Sequence, residues 1–400
     1  MDRSSYRGPA DAEVVVFNKG GRDSRIELLA RGEEAPREFF YGFLDLEQAG
    51  ISAAMMSSSG PVAGVPGAVA DLIERAFAHV TRLGARPLSA RIASGWLAGA
   101  KVVMSYTDGF SLSIGLGFPR GRERAILIGG FQGLCDIERR APRAMRWLVR
   151  SVIARSLSRL DHVFFLGPAD RARAIEIYGV APARSSILTF GVDTEFWRPV
   201  PVQGGDEDFV LAIGQDLNRD FDLLAHAPGV NPTLIITRNP VRVPPGAVHI
   251  RISPGGYSAP HAATDNDLRR LYNTAAAVVV PLKDVYQPSG QSVTLQAMSC
   301  GRPVILSKTR GIWAADLLKD GVNCILVPPG DAAALGAAIG RVRSDSMLAR
   351  RLGEAARATA VEHFGLDKTG ADTVSLARLG LGLWSKRNGI DAARRPRETA

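Results

Sequence analysis

Short apolar runs rich in β-branched residues alternate with longer amphipathic stretches along the chain. This alternation is typical of βα units, in which a strand is followed by a helix. Twelve runs predict strands, at Val14–Phe17, Ile51–Met56, Lys101–Tyr106, Ala125–Ile128, His162–Leu166, Ser186–Thr189, Phe209–Ile213, Leu234–Thr237, Val248–Ile252, Ala277–Val280, Val304–Leu306 and Cys324–Val327. The pattern predicts an α/β protein with two parallel-sheet domains, each with helices covering its sheet.

The clearest helical pattern runs from Val69 to Thr81. Its apolar residues recur at three- and four-residue spacing and form one stripe, made of Leu72, Ile73, Ala76, Phe77 and Val80. The two halves of the chain meet between Trp197 and Asp208, where turn formers and charges replace the periodic pattern. This composition predicts a linker.

The chain has 400 residues, of which 46% are hydrophobic and 22% charged, as expected for a globular protein. Its longest apolar run, Ala275–Val280, is far shorter than the roughly 20 residues of a membrane-spanning helix. The first ten residues are polar and contain no signal-peptide core. The three cysteines form no C-x-x-C motif and no spacing typical of a disulfide framework, which fits a reducing compartment. We therefore expect a cytoplasmic protein.

The net charge of +9 is compatible with an anionic partner. Positive charge is most concentrated in the segment from Arg139 to Arg159, which has seven arginines and no acid. If this segment is one helix, Arg139, Arg143, Arg146 and Arg150 form a stripe that could rest on an anionic membrane surface. The alternative is an amphipathic helix with its apolar side in the core and its arginines in water. We expect no nucleic acid partner, because no nucleic-acid-binding module accompanies the charge.

Two common phosphate-binding motifs are absent. No G-x-x-x-x-G-K-[ST] occurs, and Asn18-Lys19-Gly20-Gly21-Arg22 follows the first strand in place of G-x-G-x-x-G. The strand Ala277–Val280 is instead followed by a loop and by a helix that begins near Ser289 to Gln291 and stops at Gly301. The helix start, with its small residues, could bind an anion; the alternative is an ordinary helix capped by a serine.

This region resembles glycosyltransferases of group 1, or family 4, which have the GT-B fold. The resemblance rests on Leu295-Gln296-Ala297-Met298-Ser299-Cys300-Gly301-Arg302-Pro303-Val304, on the later Asp320-Gly321 and Pro328-Pro329-Gly330-Asp331, and on the Gly191-Val192-Asp193 segment that ends at Pro199. Together the similar segments extend from about Ser186 to Phe364.

The resemblance implies an α/β GT-B fold, with two Rossmann-like parallel-sheet domains facing a cleft. Residues 1–198 would form an acceptor-binding domain and residues 199–365 a nucleotide-sugar-binding domain. Residues 366–400 would be a helix, near Lys368 to Lys386, that crosses back to the N-terminal domain, followed by a basic tail.

The implied activity is that of a hexosyltransferase. It would move a sugar from a nucleoside-diphosphate-sugar donor to a hydroxyl of a glycan or lipid-linked acceptor, as in cell-surface polysaccharide synthesis, with retention of configuration. We expect no cofactor and no metal. The protein would be cytoplasmic, with an option of peripheral attachment to the membrane through Arg139–Arg159.

The family's Glu-x7-Glu pattern is missing, because Pro288 and Gln296 stand at the two positions of its carboxylates. Gln296 could still bond the donor ribose through its amide, without the strength of a charge-assisted bond. Asp284 or the loop formed by Ser289, Gly290, Gln291 and Ser292 would take over the contact with the donor sugar.

In the loop after Phe209–Ile213, the family places two cations against the donor diphosphate. Gln215 stands at the first position, and Arg219 lies near the second. A guanidinium suits a diphosphate, also while the leaving group gains charge, so Arg219 is a candidate catalytic residue. The alternative is a surface arginine at a helix start, although a cation there opposes the helix dipole.

In the first half, Asp108 follows the strand Lys101–Tyr106, at the edge where parallel sheets bind ligands. The resemblance makes Asp108 the second candidate catalytic residue; the alternative is an aspartate in an ordinary turn. Asn18, Gly20, Gly21 and Arg37 are expected to border the acceptor.

Three other functions remain open, one of which is a basic protein that binds a nucleic acid or a membrane surface through its arginines. The missing carboxylates favour a catalytically inactive binding protein of GT-B fold, which would bind the donor without turnover. A nucleotide-sugar epimerase of the same fold would convert the donor without an acceptor.

Overall fold

The computed structural model describes residues 11–389 except 19–22, 58–64, 98, 120, 122–123, 202–206, 230–231 and 256–262. The chain forms two compact units. The N-terminal unit comprises Met1–Arg22, Phe40–Leu188 and Gly370–Ala400, and the C-terminal unit comprises Asp23–Phe39 and Thr189–Thr369. The domain boundaries inferred from the sequence stay predictions, because a division by contacts does not test independent folding.

The N-terminal unit is built on a parallel six-stranded sheet with the order β2-β1-β3-β4-β5-β6. Its strands are β1 Val14–Asn18, β2 Ala53–Ser57, β3 Val102–Ser105, β4 Ile126–Phe131, β5 His162–Phe165 and β6 Ser185–Ile187. The central strands are buried along their whole length, as expected where helices cover both faces.

Helices connect these strands. Those of the N-terminal unit are α2 Phe43–Gln48, α3 Val65–Thr81, α4 Pro87–Ala93, α5 Asp108–Gly117, α6 Leu134–Arg140, α7 Arg146–Leu157 and α8 Pro168–Tyr178, with short 3-10 helices at Ser94–Leu97, Arg143–Met145 and Pro182–Arg184. The first helix, α1 Asp23–Ala30, and the start of the 3-10 helix Glu38–Phe40 belong to the C-terminal unit.

The C-terminal unit contains a second parallel six-stranded sheet, with the order β12-β11-β10-β7-β8-β9. Its strands are β7 Glu207–Ile213, β8 Thr233–Ile236, β9 Ile250–Ser253, β10 Ala275–Val280, β11 Val304–Ser307 and β12 Ile325–Val327. Its helices are α9 Phe221–His226, α10 Asp265–Thr274, α11 Gln291–Ser299, α12 Ala332–Ser344 and α13 Ser346–His363. The last helix, α14 Leu366–Arg387, contributes its first turn to this unit and the rest to the N-terminal unit.

Each sheet has a point at which the strand order reverses. The chain leaves β1 in one direction and β3 in the other, and in the second sheet it does so at β7 and β10. Parallel sheets bind their ligands beyond the carboxyl ends of the strands at such points. The fold thus places a candidate site after β7 and β10, and a second after β1 and β3.

The structure confirms the α/β class and all twelve predicted strands, with ends that shift by at most three residues. It also confirms the final helix. The helix predicted at Val69 to Thr81 exists as part of α3, but its stripe does not face the core: Leu72 is 70% exposed, and Val69, Ile73 and Val80 are each about half exposed.

The arginine-rich segment is not one helix, and that prediction was wrong. Helix α6 ends at Arg140, Ala141 and Pro142 are extended, and α7 begins at Arg146. The missing proline N–H and its fixed φ interrupt the helix. The predicted stripe of Arg139, Arg143, Arg146 and Arg150 is therefore split between elements. The buried Val149 and Ile153 anchor α7, whereas Arg146 and Arg150 donate to backbone carbonyls.

The segment Asp23–Phe39 is held on the C-terminal unit by ion pairs. Arg25 is buried and donates from Nε and Nη2 to the two carboxylate oxygens of Asp265, both at 2.7 Å. Arg37 donates from Nε to Asp193 at 2.7 Å and from Nη2 at 3.1 Å. Such two-pronged guanidinium–carboxylate pairs fix geometry as well as charge. The segment Asp23–Phe39 precedes β2 in the sequence, yet it belongs to the C-terminal unit.

Candidate functional site

The candidate site of the C-terminal unit lies where the sheet order reverses, beyond the carboxyl ends of β7 and β10. The loop after β7 runs from Gly214 to Asp220, and the loop after β10 leads to the start of α11. The two loops meet in an isolated antiparallel bridge between Arg219 and Leu282. The fold therefore brings together five residues that were predicted to bind the donor: Gln215, Arg219, Ser289, Gly290 and Gln291.

Arg219 is buried in this site, with 4% of its side chain exposed. Its Nε donates to Asp216 at 2.8 Å, which fixes the guanidinium. Its Nη1 is buried and has no hydrogen-bond partner. A buried donor of a charged group is costly to leave unpaired, so this atom is suited to an anionic ligand.

Two glycines make room for Arg219. A Cβ on Gly214 would lie 2.3 Å from Arg219 Nε, and a Cβ on Gly290 would lie 2.7 Å from Val280 Cγ1 and 3.4 Å from Arg219 Nη1. Gly290 also has a φ of 83°, in the left-handed region that favours glycine. Both the loop after β7 and the start of α11 thus require glycine for the arginine to fit.

Helix α11 begins directly beside this arginine. Its N-cap is Gly290, which provides no side-chain hydrogen bond to the first turn. A serine cap, the alternative from the sequence, is therefore not what the structure shows. The first N–H groups of a helix have no acceptor within the helix, and they carry the positive end of its dipole. Together with Arg219, the start of α11 forms an anion-binding arrangement.

The walls of the site are polar and mutually bonded. Asn218 donates to Gln287 Oε1 at 2.8 Å and to Ser289 Oγ at 3.2 Å, which ties the two loops together. Gln215 accepts from the Arg238 amide at 2.9 Å. Its side-chain nitrogen occupies the space that a Cβ on Gly255 would need. Ser292 lies half-buried in the first turn of α11.

Asp284 is bound to a neighbouring cation. Its Oδ1 accepts from the Arg310 amide at 2.9 Å, and its Oδ2 accepts from Arg310 Nη2 at 2.6 Å. The same guanidinium lies over the Tyr286 ring. Asp284 therefore orders the loop after β11 against the loop after β10, and its proposed contact with the donor sugar stays a prediction.

Gln296, predicted to bond the donor ribose, is engaged at both ends of its amide. Its Nε2 donates to Glu38 at 3.0 Å, and its Oε1 accepts from the Tyr272 hydroxyl at 3.0 Å. Glu38 also accepts from Trp197 Nε1 at 2.7 Å. All four side chains are buried. At the position of a family carboxylate, the chain thus has a glutamine bonded to a carboxyl group from the segment Asp23–Phe39.

The Glu38 carboxyl has an unusual environment. Burial raises its pKa from 4.5 to about 7, and the nearby charge of Asp193 adds to this effect, while the hydrogen bonds from Gln296 and Trp197 oppose it. Carboxyl groups with raised pKa values are frequent in functional sites, but they also occur in structural networks. The Asp193 amide also donates to Glu38 Oε2, at 3.4 Å. The burial of Glu38 and these three donors indicate that it acts by holding Gln296 and Trp197 in place.

The corresponding edge of the N-terminal unit holds Asn18 and Asp108. Asn18 is buried at the end of β1 and donates to Met55 Sδ at 3.7 Å. Asp108 opens α5, and its Oδ1 accepts from the amides of Gln132 and Gly133 at 3.1 and 3.2 Å. Its pKa is raised, chiefly by burial. Asp108 connects the loop after β3 to the loop after β4.

Three further residues were predicted on the acceptor side. Gly20 and Gly21 are outside the described residues. Arg37, expected beside the acceptor, belongs to the C-terminal unit and pairs with Asp193.

In the described part of the chain, no group of three or more His, Cys, Asp or Glu side chains could hold a metal ion. No helix among the same residues has the length and apolar content needed to span a membrane.

Sequence reasoning missed Gly214, Asn218 and Glu38. Gly214 could have been found, since a glycine directly after a strand indicates a close approach of other atoms. Glu38 had no local signal, because its partners Trp197 and Gln296 lie 159 and 258 residues away along the chain.

The comparisons with known proteins agree with this architecture. Residues 253–345 match the family model of glycosyl transferases group 1, which confirms the resemblance seen in the sequence. A D-inositol 3-phosphate glycosyltransferase of Streptomyces bingchenggensis is 34% identical over 113 residues, which are 28% of this chain and 24% of that protein. The chain spans less than two thirds of the length of the curated relatives it matches.

Solved structures share the fold over nearly the whole chain. A sucrose-phosphate synthase of Thermosynechococcus elongatus aligns with a TM-score of 0.65 and 18% identity, over 92% of this chain and 99% of that one. The Anabaena protein HepE, crystallised with UDP and glucose, aligns with a TM-score of 0.61 and 14% identity, over 91% of this chain and 99% of that one. These likenesses show the GT-B fold.

Proposed function

We propose that this chain, which has the GT-B fold and carries a group 1 glycosyltransferase segment in its C-terminal unit, is a glycosyltransferase. It transfers a sugar from a nucleoside-diphosphate-sugar to a hydroxyl of a glycan or lipid-linked acceptor. The donor binds at the carboxyl edge of the C-terminal sheet, between β7 and β10. The structure of HepE with UDP and glucose supports a donor of this class for the fold.

The observation that carries the proposal is the buried, unpartnered Nη1 of Arg219 beside the start of α11. A diphosphate supplies the acceptor that this donor lacks, and its negative charge is favoured by the helix start. In the reaction, the bond between the sugar C1 and the diphosphate oxygen breaks, and the acceptor oxygen bonds to C1. The acceptor proton leaves with the diphosphate, as retention in the resembled family implies.

Arg219 then acts on the leaving group. Charge accumulates on the diphosphate as the C1–O bond breaks, and a fixed guanidinium stabilises this charge more than it stabilises the bound donor. The arginine takes the part that a metal ion has in other transferases, so the proposed reaction needs no cofactor. Asp216 keeps the guanidinium oriented through Nε, which leaves Nη1 for the phosphate.

Gln296 could bond the donor ribose only if its amide gave up or shared an existing hydrogen bond. Both amide atoms are bonded to Glu38 and Tyr272, so ribose binding would have to displace or share one of these bonds. We therefore assign the primary donor contacts to Arg219 and the first turn of α11. Asp108 remains the proposed catalytic residue near the donor sugar, and Asn18, Gly20 and Gly21 remain the proposed residues on the acceptor side.

A membrane surface is the proposed location of the acceptor, and the exposed face of α3 and α4 supports it better than the arginine-rich segment does. Val69, Leu72, Ile73 and Val80 of α3 are exposed, as are Leu88 and Trp96 in and after α4. Apolar helix faces flanked by arginine and tryptophan are typical of helices that lie in a bilayer interface. This face is called the α3–α4 face below.

The charges around the α3–α4 face fit anionic lipid. Arg75 on α3, Arg82 directly after α3 and Arg91 on α4 are all exposed. The two acids of this stretch are already in use: Asp71 pairs with Arg75 and Arg86, and Glu74 is buried and accepts from the amides of α4's first turn. The surface is therefore apolar with a positive rim.

Turnover distinguishes the three candidate activities. Purified protein is incubated with nucleoside-diphosphate-sugars, with and without lipid-linked acceptors, and the products are resolved by mass spectrometry. Glycosyl transfer predicts that the donor is consumed much faster when an acceptor is present. Conversion of the donor sugar without acceptor would indicate the epimerase. Donor binding without any conversion would indicate the inactive binding protein, which the loss of the family carboxylates at Pro288 and Gln296 favours.

A further inference from the structure

Four arginines surround one carboxylate at the amino-terminal edge of the N-terminal sheet. Arg124 precedes β4, Arg184 precedes β6, Arg159 follows α7, and Arg387 ends α14. The carboxylate is Asp161, directly before β5. Because β4, β5 and β6 are neighbours in a parallel sheet, their starts lie side by side and bring these residues together. We call them the arginine cluster.

Asp161 is shared by two of the arginines. Arg124 donates to its two oxygens at 2.7 and 3.0 Å, and Arg387 also donates to Oδ1. Its Oδ2 accepts in addition from the Leu127 amide at 2.8 Å. One negative charge therefore serves two guanidinium groups and a backbone N–H.

The other two arginines also donate to backbone carbonyls. Arg159 donates to the carbonyls of Leu116 and Phe118, at the end of α5. Arg184 donates to the carbonyls of Leu157, Leu160 and Asp161. Carbonyl dipoles orient these groups but do not cancel their charge. Among the described residues that line the cavity next to this cluster, four are arginines and one, Asp161, is an acid.

The cluster lines an open cavity of about 670 Å³. The same cavity has an apolar side formed by Phe118, Leu127, Leu160 and Leu383. Arg387 Nη1 is buried and has no hydrogen-bond partner. Like charges held near one another in a partly buried space repel, and an anion would reduce that cost while supplying the missing acceptor.

We propose that the arginine cluster is a second anion-binding site, which takes a phosphate group, free or as the phosphomonoester of a small molecule. Guanidinium groups match phosphate oxygens in shape and charge, and several of them converging from different elements favour a dianion over chloride. The site is separate from the donor site, because it lies in the other unit and at the amino-terminal edge of its sheet. A purely structural clamp, in which Asp161 holds Arg387 and thus α14, is the competing explanation.

The test uses inorganic phosphate as the first probe and the full chain with Arg219→Ala as the background, so that the proposed donor site does not contribute. Thermal unfolding is followed at constant ionic strength while phosphate replaces potassium chloride, up to about 10 mM. The proposal expects a saturable rise in Tm with phosphate. No rise beyond that of the chloride control would overturn it.

Two variants of opposite expected sign separate the anion site from a clamp. Arg387→Gln removes a phosphate ligand and should weaken phosphate binding about tenfold, whereas Arg150→Gln, an exposed arginine of the same unit, should leave it unchanged. Asp161→Asn removes the competing charge and should tighten phosphate binding several-fold, even if it lowers Tm in the absence of phosphate. A clamp predicts lower stability in both and no change in phosphate response, which would overturn the proposal.

Glycerol phosphate identifies the source of the phosphate group. Tighter binding than inorganic phosphate supports a phosphomonoester whose organic part contacts the apolar side of the cavity. Equal binding supports free phosphate. A response to neither compound contradicts the site.

Discussion

The same sheet architecture occurs twice in this chain, yet the two reversal points differ in how their polar groups are used. At β7 and β10, Arg219 presents a buried donor with no partner, beside a helix start capped by glycine. At β1 and β3, the Asp108 carboxylate accepts from two amides of its own unit. Polar groups with unused bonding capacity favour a ligand, whereas satisfied ones hold loops. This difference supports the proposal that the donor diphosphate binds at the carboxyl edge of the C-terminal unit's sheet.

The two units also differ in what they expose. The N-terminal unit carries the apolar α3–α4 face, whereas in the C-terminal unit most helical apolar residues are buried, with single exceptions such as Met347. A scattered exposed residue needs no explanation, but four exposed apolar residues on one helix do. Nucleotide binding and membrane contact would in this way be divided between the units.

The largest expected effect concerns a buried acid in each unit. Burial raises the pKa values of Glu38 and Asp170 to about 7. A carboxyl with a raised pKa contributes stability that is complete below its unfolded value and is lost as pH rises through the folded value. The wild-type protein should therefore lose on the order of 3 kcal/mol per group between about pH 4 and pH 7.

Paired variants sharpen this comparison. Glu38→Gln keeps an acceptor for Trp197 and should flatten the decline in the C-terminal unit, measured as the free energy of unfolding by urea at several pH values. Asp170 accepts from the amides of Leu134 and Cys135, and Asp170→Asn should do the same for the N-terminal unit. An unchanged pH slope in both variants would contradict the raised pKa values.

Gly290 tests whether the C-terminal edge depends on its backbone geometry. Gly290→Ala places a Cβ at 2.7 Å from Val280 and at a φ of 83°, which should destabilise the protein by about 1–2 kcal/mol and shift Arg219. Nucleoside diphosphate binding, measured by calorimetry, should weaken. Gly214→Ala, whose Cβ would meet Arg219 at 2.3 Å, should have the same effect on binding. Full binding in both variants would show that the site tolerates a displaced arginine.

The membrane prediction depends on the exposed apolar residues of α3. Leu72→Gln with Ile73→Gln should reduce binding to vesicles of phosphatidylglycerol and phosphatidylcholine by about tenfold, because each side chain contributes on the order of 1 kcal/mol when buried. Sedimentation with vesicles measures the bound fraction. Met347→Gln, at a similarly exposed site in the C-terminal unit, is the matched control.

Further variants locate the surface. Arg143→Gln with Arg146→Gln should have a smaller effect than the α3 pair, since the arginine-rich segment is not a continuous helix. A larger effect would return the membrane contact to that segment. If the wild-type protein does not bind vesicles and instead self-associates through the α3–α4 face, the membrane prediction is wrong.

The smallest expected effect is a gain in stability. Gly340 in α12 and Gly382 in α14 have nothing within 4 Å of a Cβ position, unlike Gly290. Replacing either with alanine should stabilise the protein by about 0.5–1 kcal/mol, because glycine is a poor helix residue. Chemical denaturation measures the gain. A loss of stability at these open positions would indicate that their surroundings differ from those described.

Much of the fold could be predicted because it depends on local pattern. β-Branched runs marked all twelve strands, and the glycine at 301, with a φ of 71°, marked the end of α11. A single helix through the arginine-rich segment was considered because of the spacing of its arginines. The helix is interrupted at Ala141 and Pro142, which that spacing does not indicate. Apolar periodicity correctly identified α3, but it could not reveal that its stripe faces outward.

The site was predictable only in part. Arg219 and the start of α11 could be inferred from motif order, since Arg219 lies in the loop after β7 and α11 follows the loop after β10. Glu38 and Arg37 could not, because their partners are distant in sequence and their segment belongs to the C-terminal unit. Ion pairs and buried networks of this kind depend on tertiary contacts that no spacing rule encodes.

The most direct test is calorimetric titration of the wild-type protein, Arg219→Ala and Arg242→Ala with a panel of nucleoside diphosphates and their sugar conjugates. Arg242, 90% exposed in the same unit, is the control for loss of one positive charge. The account predicts that one diphosphate binds selectively, and that Arg219→Ala weakens it by about tenfold to a hundredfold while Arg242→Ala leaves it unchanged. Equal affinities for the wild-type protein and Arg219→Ala would contradict the assignment of the diphosphate to this edge of the sheet.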